Sequence, residues 1–369
     1  MRVARKPWFW IAVAAAAAAA WLILRPPPVE DRAPKCREVV RAVEGWAARR
    51  GLKPDGGGAR SEVRTEHRVR WLHAERGYWY PPTRSHGTLG KELVGIARAR
   101  GLAIRVESTA ANSLCVDMVF PDGRSAVRVR LRLMCFAAIV IDDMGFSLTS
   151  ARRVVALPCP VTCAIIPFSG HDRAVARLAA ASGKEVFIHM PMESPFRVPD
   201  VPEYRLILRS GMTRTEIGER VKAALAEIPH AAGINNHEGS LATENAELMG
   251  DLMAVLKPCR LVFLDSGTTE KTVAWSAARD AGLRWERRNV FLDAEYARPS
   301  GPKGAPRDPA AVEAEFSRLI ALARKRGRAI AIGHNQFAET LDVLERRIPE
   351  AQRQGVEFVF ASWLALGGK

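Results

Sequence analysis

The sequence predicts an α/β chain: a (β/α) barrel from residue 136 onward, preceded by a small basic α+β module and one N-terminal transmembrane helix. Three observations carry this. An uncharged apolar run fills residues 7–24. The net charge of +15 is concentrated before residue 136. From Phe136 onward, short apolar runs alternate with helical stretches, which is the pattern of a buried parallel sheet.

The run at 7–24 reads Pro-Trp-Phe-Trp-Ile-Ala-Val, then seven alanines, then Trp-Leu-Ile-Leu. At about 1.5 Å per residue, it is just long enough to cross a bilayer as a helix. Trp8, Trp10 and Trp21 stand near its ends, where indoles favour the interface. Arg2, Arg5 and Lys6 precede it, so the N-terminus is expected in the cytoplasm and the rest outside a bacterial inner membrane, in the periplasm. An uncleaved anchor is favoured over a signal peptide, because Trp21–Leu24 carries the apolar run past a normal cleavage site.

Residues 25–34 are a Pro-rich tether. Residues 35–135 carry most of the positive surplus, while 136–369 hold 30 basic and 28 acidic groups and are nearly neutral. In the module, Val39, Val40, Val43 and Trp46 share one face of a helix predicted over 35–51. Asp55–Gly58 is a break. A strand near Val69–Leu72 and a helix from about Leu89 to Arg100 follow. Residues 113–120 and 126–133 alternate as strands around a Pro121-Asp122-Gly123-Arg124 turn. Arg128, Arg130 and Arg132 fall on one strand face, which predicts a positive surface for anionic lipid or cell-wall polymer. Nucleic acid is excluded by the export that the anchor implies. Six cysteines show no zinc-finger spacing; disulfides and buried free thiols both remain open.

Eight apolar runs predict the barrel strands: 136–141, 161–166, 185–188, 231–234, 261–264, 289–292, 329–332 and 357–360. Six of them end on polar or ionisable residues. Asp142-Asp143 follows Ile141, His189 follows Ile188, and Asn235-Asn236-His237 follows Ile234. Asp265 follows Leu264, Asp293 follows Leu292, and His334 follows Ile332-Gly333. In such barrels the carboxyl ends of the strands form the catalytic rim. Each residue alone has an ordinary reading, such as an aspartate capping the next helix. As a set they predict a divalent-metal site of imidazoles and carboxylates, with metal-assisted hydrolysis as its chemistry. Alternation along a strand separates Asp142 from Asp143, so one is expected to bind metal and the other to handle a proton.

The motif Ala138-Ile139-Val140-Ile141-Asp142-Asp143-Met144-Gly145 resembles the opening motif of the polysaccharide deacetylases, the NodB-type carbohydrate esterases. Further segments resemble their divergent, YibQ-like branch: Pro160–Thr162 with Ile166-Pro167, His189-Met190-Pro191-Met192-Glu193 and Gly233–Ser240. Phe263–Ser266, Arg288–Asp293 and Ala331–His334 complete the set. The resemblance implies a distorted (β/α) barrel with Asp142 as catalytic base, Asp143 and His189 as metal ligands, and His334 as the acid for the leaving amine. Glu193 stands where the family has a second histidine, so His237 is the natural replacement ligand and Glu193 a possible extra one. Asn236, Asp265 and Asp293, on the same rim, are expected to bind substrate. The implied function is a zinc-dependent deacetylase of an N-acetylated envelope glycan or peptidoglycan-like polymer. The alternative is a silent barrel that binds glycan as a scaffold.

Overall fold

The computed structural model describes residues 28–55, 59–81, 86–110, 113–196, 200–294, 296 and 308–365. The expected anchor at 1–24 lies outside them, and among the described residues no helix is long and apolar enough to cross a membrane. The described residues form two compact units, one within 1–78 and 84–132 and the other within 79–83 and 133–369.

The N-terminal unit holds strands β1 (Glu30–Asp31), β2 (Lys53–Pro54), β3 (Arg60–Glu66), β4 (Val69–Tyr80), β5 (Ala103–Ala110), β6 (Ser113–Val119) and β7 (Ser125–Leu133). Their order is β1-β4-β7-β6-β5, with β2 and β3 also on β4. The helix Ala33–Arg49 buries Val39, Val40, Val43 and Trp46, the face its spacing dictates. The expected hairpin is the antiparallel pair β6–β7. The expected basic face, however, is neutralised from within. Arg128 pairs with Asp117 at 3.0 Å, Arg130 with Glu75 at 2.9 Å and Arg132 with Asp55 at 3.3 Å. Strand spacing places the three arginines on one face but carries no signal of the acids set against them, two from neighbouring strands and Asp55 from the residue after β2. All six cysteines are free thiols, and all but Cys259 are buried.

The C-terminal unit holds β8 (Cys135–Met144), β9 (Thr162–Ile165), β10 (Glu185–Met192), β11 (Ala231–Glu238), β12 (Val262–Asp265), β13 (Trp285–Arg287), β14 (Val290–Phe291), β15 (Arg328–His334) and β16 (Val356–Phe358). Strand order is β13-β12-β11-β10-β9-β8-β15-β14. Every ladder given along it is parallel. The ends of this order, β13 and β14, are consecutive in the chain, and no ladder joins them among the described residues. The expected barrel is therefore a curled parallel half-barrel. Strand β13 has no counterpart among the expected strands, since Trp285-Glu286-Arg287 is short, charged and only partly buried. The final strand, β16, pairs with the opening residues of β8, while β9 pairs with its closing residues.

Local chemistry fixes the connections. Ser147 caps the helix Leu148–Ala156, and Thr213 with Glu216 forms a capping box on Arg214–Glu227. Asp308 caps Pro309–Arg326, and Gly327 ends it in the left-handed conformation that a helix terminus requires.

The two faces of the sheet are distinct. Ala137, Ile139, Ile141, Ile188, Ile234 and Phe263 pack outward against helical residues such as Val154, Leu252 and Phe316. Ala138, Val140, Phe187, Val262, Leu264, Ile330 and Ile332 form a smaller inner core with Ala361 and Leu364 of the last helix. Phe187 fills the interior because residue 233 is glycine: a Cβ there would stand 2.4 Å from the ring. Side chains alternate along a strand. The inner face of each strand therefore continues through Asp142, His189, Asn235, His237 and His334.

Candidate metal centre

Those inner-face residues meet at the carboxyl ends of adjacent strands. In the sheet register His334 lies opposite Asp142, and His189 opposite Asn235. Asp143 should point outward, but its φ of 55° lies in the left-handed region and breaks the alternation. Both carboxylates of the pair consequently reach His189: Nε2 is 3.5 Å from Asp142 Oδ2 and 3.2 Å from Asp143 Oδ1. For a non-glycine residue this conformation costs about 1–3 kcal/mol. That strain at a site residue is the physical reason simple alternation misplaces Asp143.

Three atoms converge. Asp143 Oδ1 lies 3.0 Å from His237 Nδ1 and 3.2 Å from His189 Nε2, and the two nitrogens are 3.2 Å apart. Asp143 Oδ1 is buried without a hydrogen-bond partner. An ion about 2.0–2.2 Å from three donors keeps those donors about 3 Å apart. The triangle thus fits a divalent cation, and two imidazoles with one carboxylate are a donor set that suits zinc. The surroundings point the same way. The Asn235 amide donates to Asp142 Oδ1 at 2.9 Å and to Ser266 Oγ at 3.1 Å. Its carbonyl oxygen, 3.0 Å from His189 Nδ1, therefore accepts a proton from that nitrogen. This leaves His189 Nε2 free for the triangle.

Charge at the site is arranged in opposing directions. Burial pushes Asp142 above the usual carboxylate range, against the pull of His189 and His334. Burial also raises Asp143, but the close approach of His189 and His237 outweighs it and holds the group well below that range. His334 is buried, which lowers an imidazole, yet the bond and charge of Asp293 raise it to about 9. Its Nδ1 is 2.7 Å from Asp293 Oδ1.

A cavity of about 330 Å³ opens on Asp143 and His237, lined also by Phe146, Ser147, Tyr204 and Gln336. A larger cavity, about 480 Å³, lies in the N-terminal unit against Ala47, Ala48, Leu52 and Pro54.

Four expected site residues lie elsewhere. Glu193 stands outside the triangle: its Oε2 accepts from the Ser210 backbone N–H at 2.9 Å and fastens the loop after β10. Asn236 and Asp265 fall on the outer parity of their strands. Asn236 accepts from the Ser266 N–H at 2.8 Å and donates to the Glu238 carbonyl at 2.8 Å. Asp265 is fully buried and accepts from the Gly267 N–H and the Thr272 hydroxyl. Asp293 is buried too, and its oxygens are occupied by His334 and Thr340, so it holds the His334 ring in place. Asn235, Tyr204, Glu238 and Gln336 also stand at or beside the cluster, although the sequence does not single them out. Strand parity two residues before His237 signals Asn235. Gln336 donates to Asp143 Oδ2 at 3.0 Å from beyond β15, and Tyr204 arrives from the short 3-10 helix Pro202–Tyr204, neither with a sequence signature.

The sequence model of the family described as divergent polysaccharide deacetylase matches residues 139–365. The uncharacterized protein YibQ of Escherichia coli is 37% identical over 211 residues, 57% of this chain and 61% of that protein. The chain thus spans less than two thirds of that relative's length. An uncharacterized protein of Haemophilus influenzae is 38% identical over 216 residues, 58% of this chain and 72% of that one. Among solved structures, the uncharacterized protein ATU2773 of Agrobacterium tumefaciens is similar in fold, with a TM-score of 0.56 at 23% identity. That match covers 63% of this chain and 89% of that one.

Proposed function

The chain belongs to the divergent polysaccharide deacetylases, and from that membership and the site we propose a zinc-dependent hydrolase that removes N-acetyl groups from a cell-envelope glycan. It is tethered by residues 1–24 to the inner membrane and works in the periplasm. The observation that carries the reading is the triangle of Asp143 Oδ1, His189 Nε2 and His237 Nδ1. Beside it stand a buried carboxylate, Asp142, and an imidazole with raised proton affinity, His334.

A divalent ion held by the triangle supplies Lewis acidity and counter-charge for a developing oxyanion. The chain's own residues divide the remaining work. Burial makes Asp142 a stronger base than an exposed aspartate, and it takes the proton of the attacking water. The Asn235 amide holds its Oδ1 in place. His334 is kept protonated by Asp293 and gives its proton to the amide nitrogen as the C–N bond breaks, releasing acetate and a free amine. Phe146 and Tyr204 give the cleft apolar walls, and Ser147 and Gln336 offer hydrogen bonds to hydroxyls. What favours this reading over a glycan-binding scaffold is that His237 offers Nδ1 beside Asp143 and His189 although Glu193 is turned away to the Ser210 N–H. Acetate release from N-acetylglucosamine oligomers by the zinc-loaded chain tests the proposal.

A further inference from the structure

We propose that Tyr204 and Glu238 are positioning residues that hold the His237 ring in the tautomer offering Nδ1 to the metal. The assignment rests on the metal centre described above and adds to it.

The loop between β10 and the helix Arg214–Glu227 sends two hydroxyls onto one carboxylate. Ser194 Oγ donates to Glu238 Oε2 at 2.7 Å, and Tyr204 Oη donates to Glu238 Oε1 at 3.1 Å. Tyr204 Oη also lies 3.3 Å from His237 Nε2. A phenol has a single proton to give. The carboxylate is the nearer and the stronger acceptor, so that proton goes to Glu238. The Tyr204 oxygen must then accept from His237, which places a proton on Nε2. Neutral imidazole carries only one, so Nδ1 keeps its lone pair, and Nδ1 is the atom that faces Asp143 Oδ1 and His189 Nε2. Glu238 reaches this position because its φ of 52° turns the end of β11. The chain accepts a left-handed, non-glycine residue directly after a ligand histidine, and the relay is what that conformation delivers. His189 is held alike by Asn235, so each imidazole of the triangle has its far nitrogen tied down.

The test is zinc competition against a chromophoric chelator, using the full chain in mild detergent. Tyr204→Phe keeps the ring and removes only the relay oxygen, and its zinc affinity should fall about 10–100-fold. Ser194→Ala cuts the other bond to Glu238 and should keep the parent affinity. In ¹⁵N spectra of the zinc-loaded parent, His237 should be bound through Nδ1 with a protonated Nε2, a signature that Tyr204→Phe should lose. Equal weakening by Tyr204→Phe and Ser194→Ala would mean that Tyr204 only tethers the loop, and overturns the relay. So would zinc affinity of Tyr204→Phe matching a zinc-binding parent. A parent that takes up no zinc overturns the metal centre and this assignment with it.

Discussion

His334 and Asp293 are joined twice: the imidazole Nδ1 lies 2.7 Å from Asp293 Oδ1, and the backbone N–H of His334 donates to Oδ2 at 2.8 Å. Thr340 donates to the same Oδ2. The buried carboxylate therefore fixes the ring, directs Nε2 away from itself and holds the proton on the imidazole.

The pH dependence of turnover follows. His334 must carry a proton to act as an acid, so deacetylation should fall as pH rises through about 9. Asp293→Asn removes the charge that raises His334, and the basic limb should move to lower pH. The sign for stability is the same. His334 binds its proton more tightly folded than unfolded, so its contribution is full below its ordinary value of 6.5 and is lost as pH rises through about 9. Rate profiles and melting curves of parent and Asp293→Asn between neutral pH and pH 10 check both statements.

Metal content separates ligands from neighbours. Asp143→Asn, His189→Ala and His237→Ala each open one corner of the triangle and should bind zinc poorly. Glu193→Ala should keep its zinc, because Glu193 is spent on the Ser210 N–H. Elemental analysis after dialysis decides, and full occupancy in both histidine variants would place the centre elsewhere.

Asp265 should behave as a structural residue. Asp265→Ala strands the Gly267 N–H and the Thr272 hydroxyl, at a cost of about 1–3 kcal/mol in stability. Activity per folded molecule should stay near the parent value. Denaturant titration together with acetate release distinguishes this from a substrate-binding role, which would raise KM without lowering stability.

Topology has its own test. If residues 1–24 are an uncleaved anchor, a reporter active only in the periplasm should work at the C-terminus, and the full-length chain should fractionate with membranes. A mature protein beginning near residue 25 would contradict the anchor while leaving export intact.

Much of this was legible in the sequence for a simple reason. Eight of the nine strands described in the C-terminal unit begin within one residue of an apolar run, β13 being the exception, and continuous runs are what strands buried on both faces require. The polar residues that interrupt those runs at their carboxyl ends marked the rim. Which of them enter the site was a matter of parity. Counting by twos from Val140, Phe187, Gly233 and Ile332 selects Asp142, His189, Asn235, His237 and His334, and leaves out Asn236 and Asp265. Asp143 escapes that count because its backbone is left-handed, and nothing in Ile-Asp-Asp-Met announces that. Sequence spacing does not bring Tyr204 to His237, since the short 3-10 helix that carries it lies outside the strand periodicity. The sequence does not tell a distorted barrel from a half-barrel, because the number of apolar runs does not say whether the first and last strands meet.

In the proposed reaction Asp142 moves a proton beside a metal that it does not itself hold. The most direct measurement is acetate release from N-acetylglucosamine oligomers by the zinc-loaded parent and by Asp142→Asn, with zinc content determined on the same samples. The account predicts full zinc in both and a fall in turnover of about 10²–10⁴-fold in the variant, the usual contribution of a general base. Equal turnover in parent and variant, loss of zinc from Asp142→Asn, or no acetate from a zinc-loaded parent would contradict it.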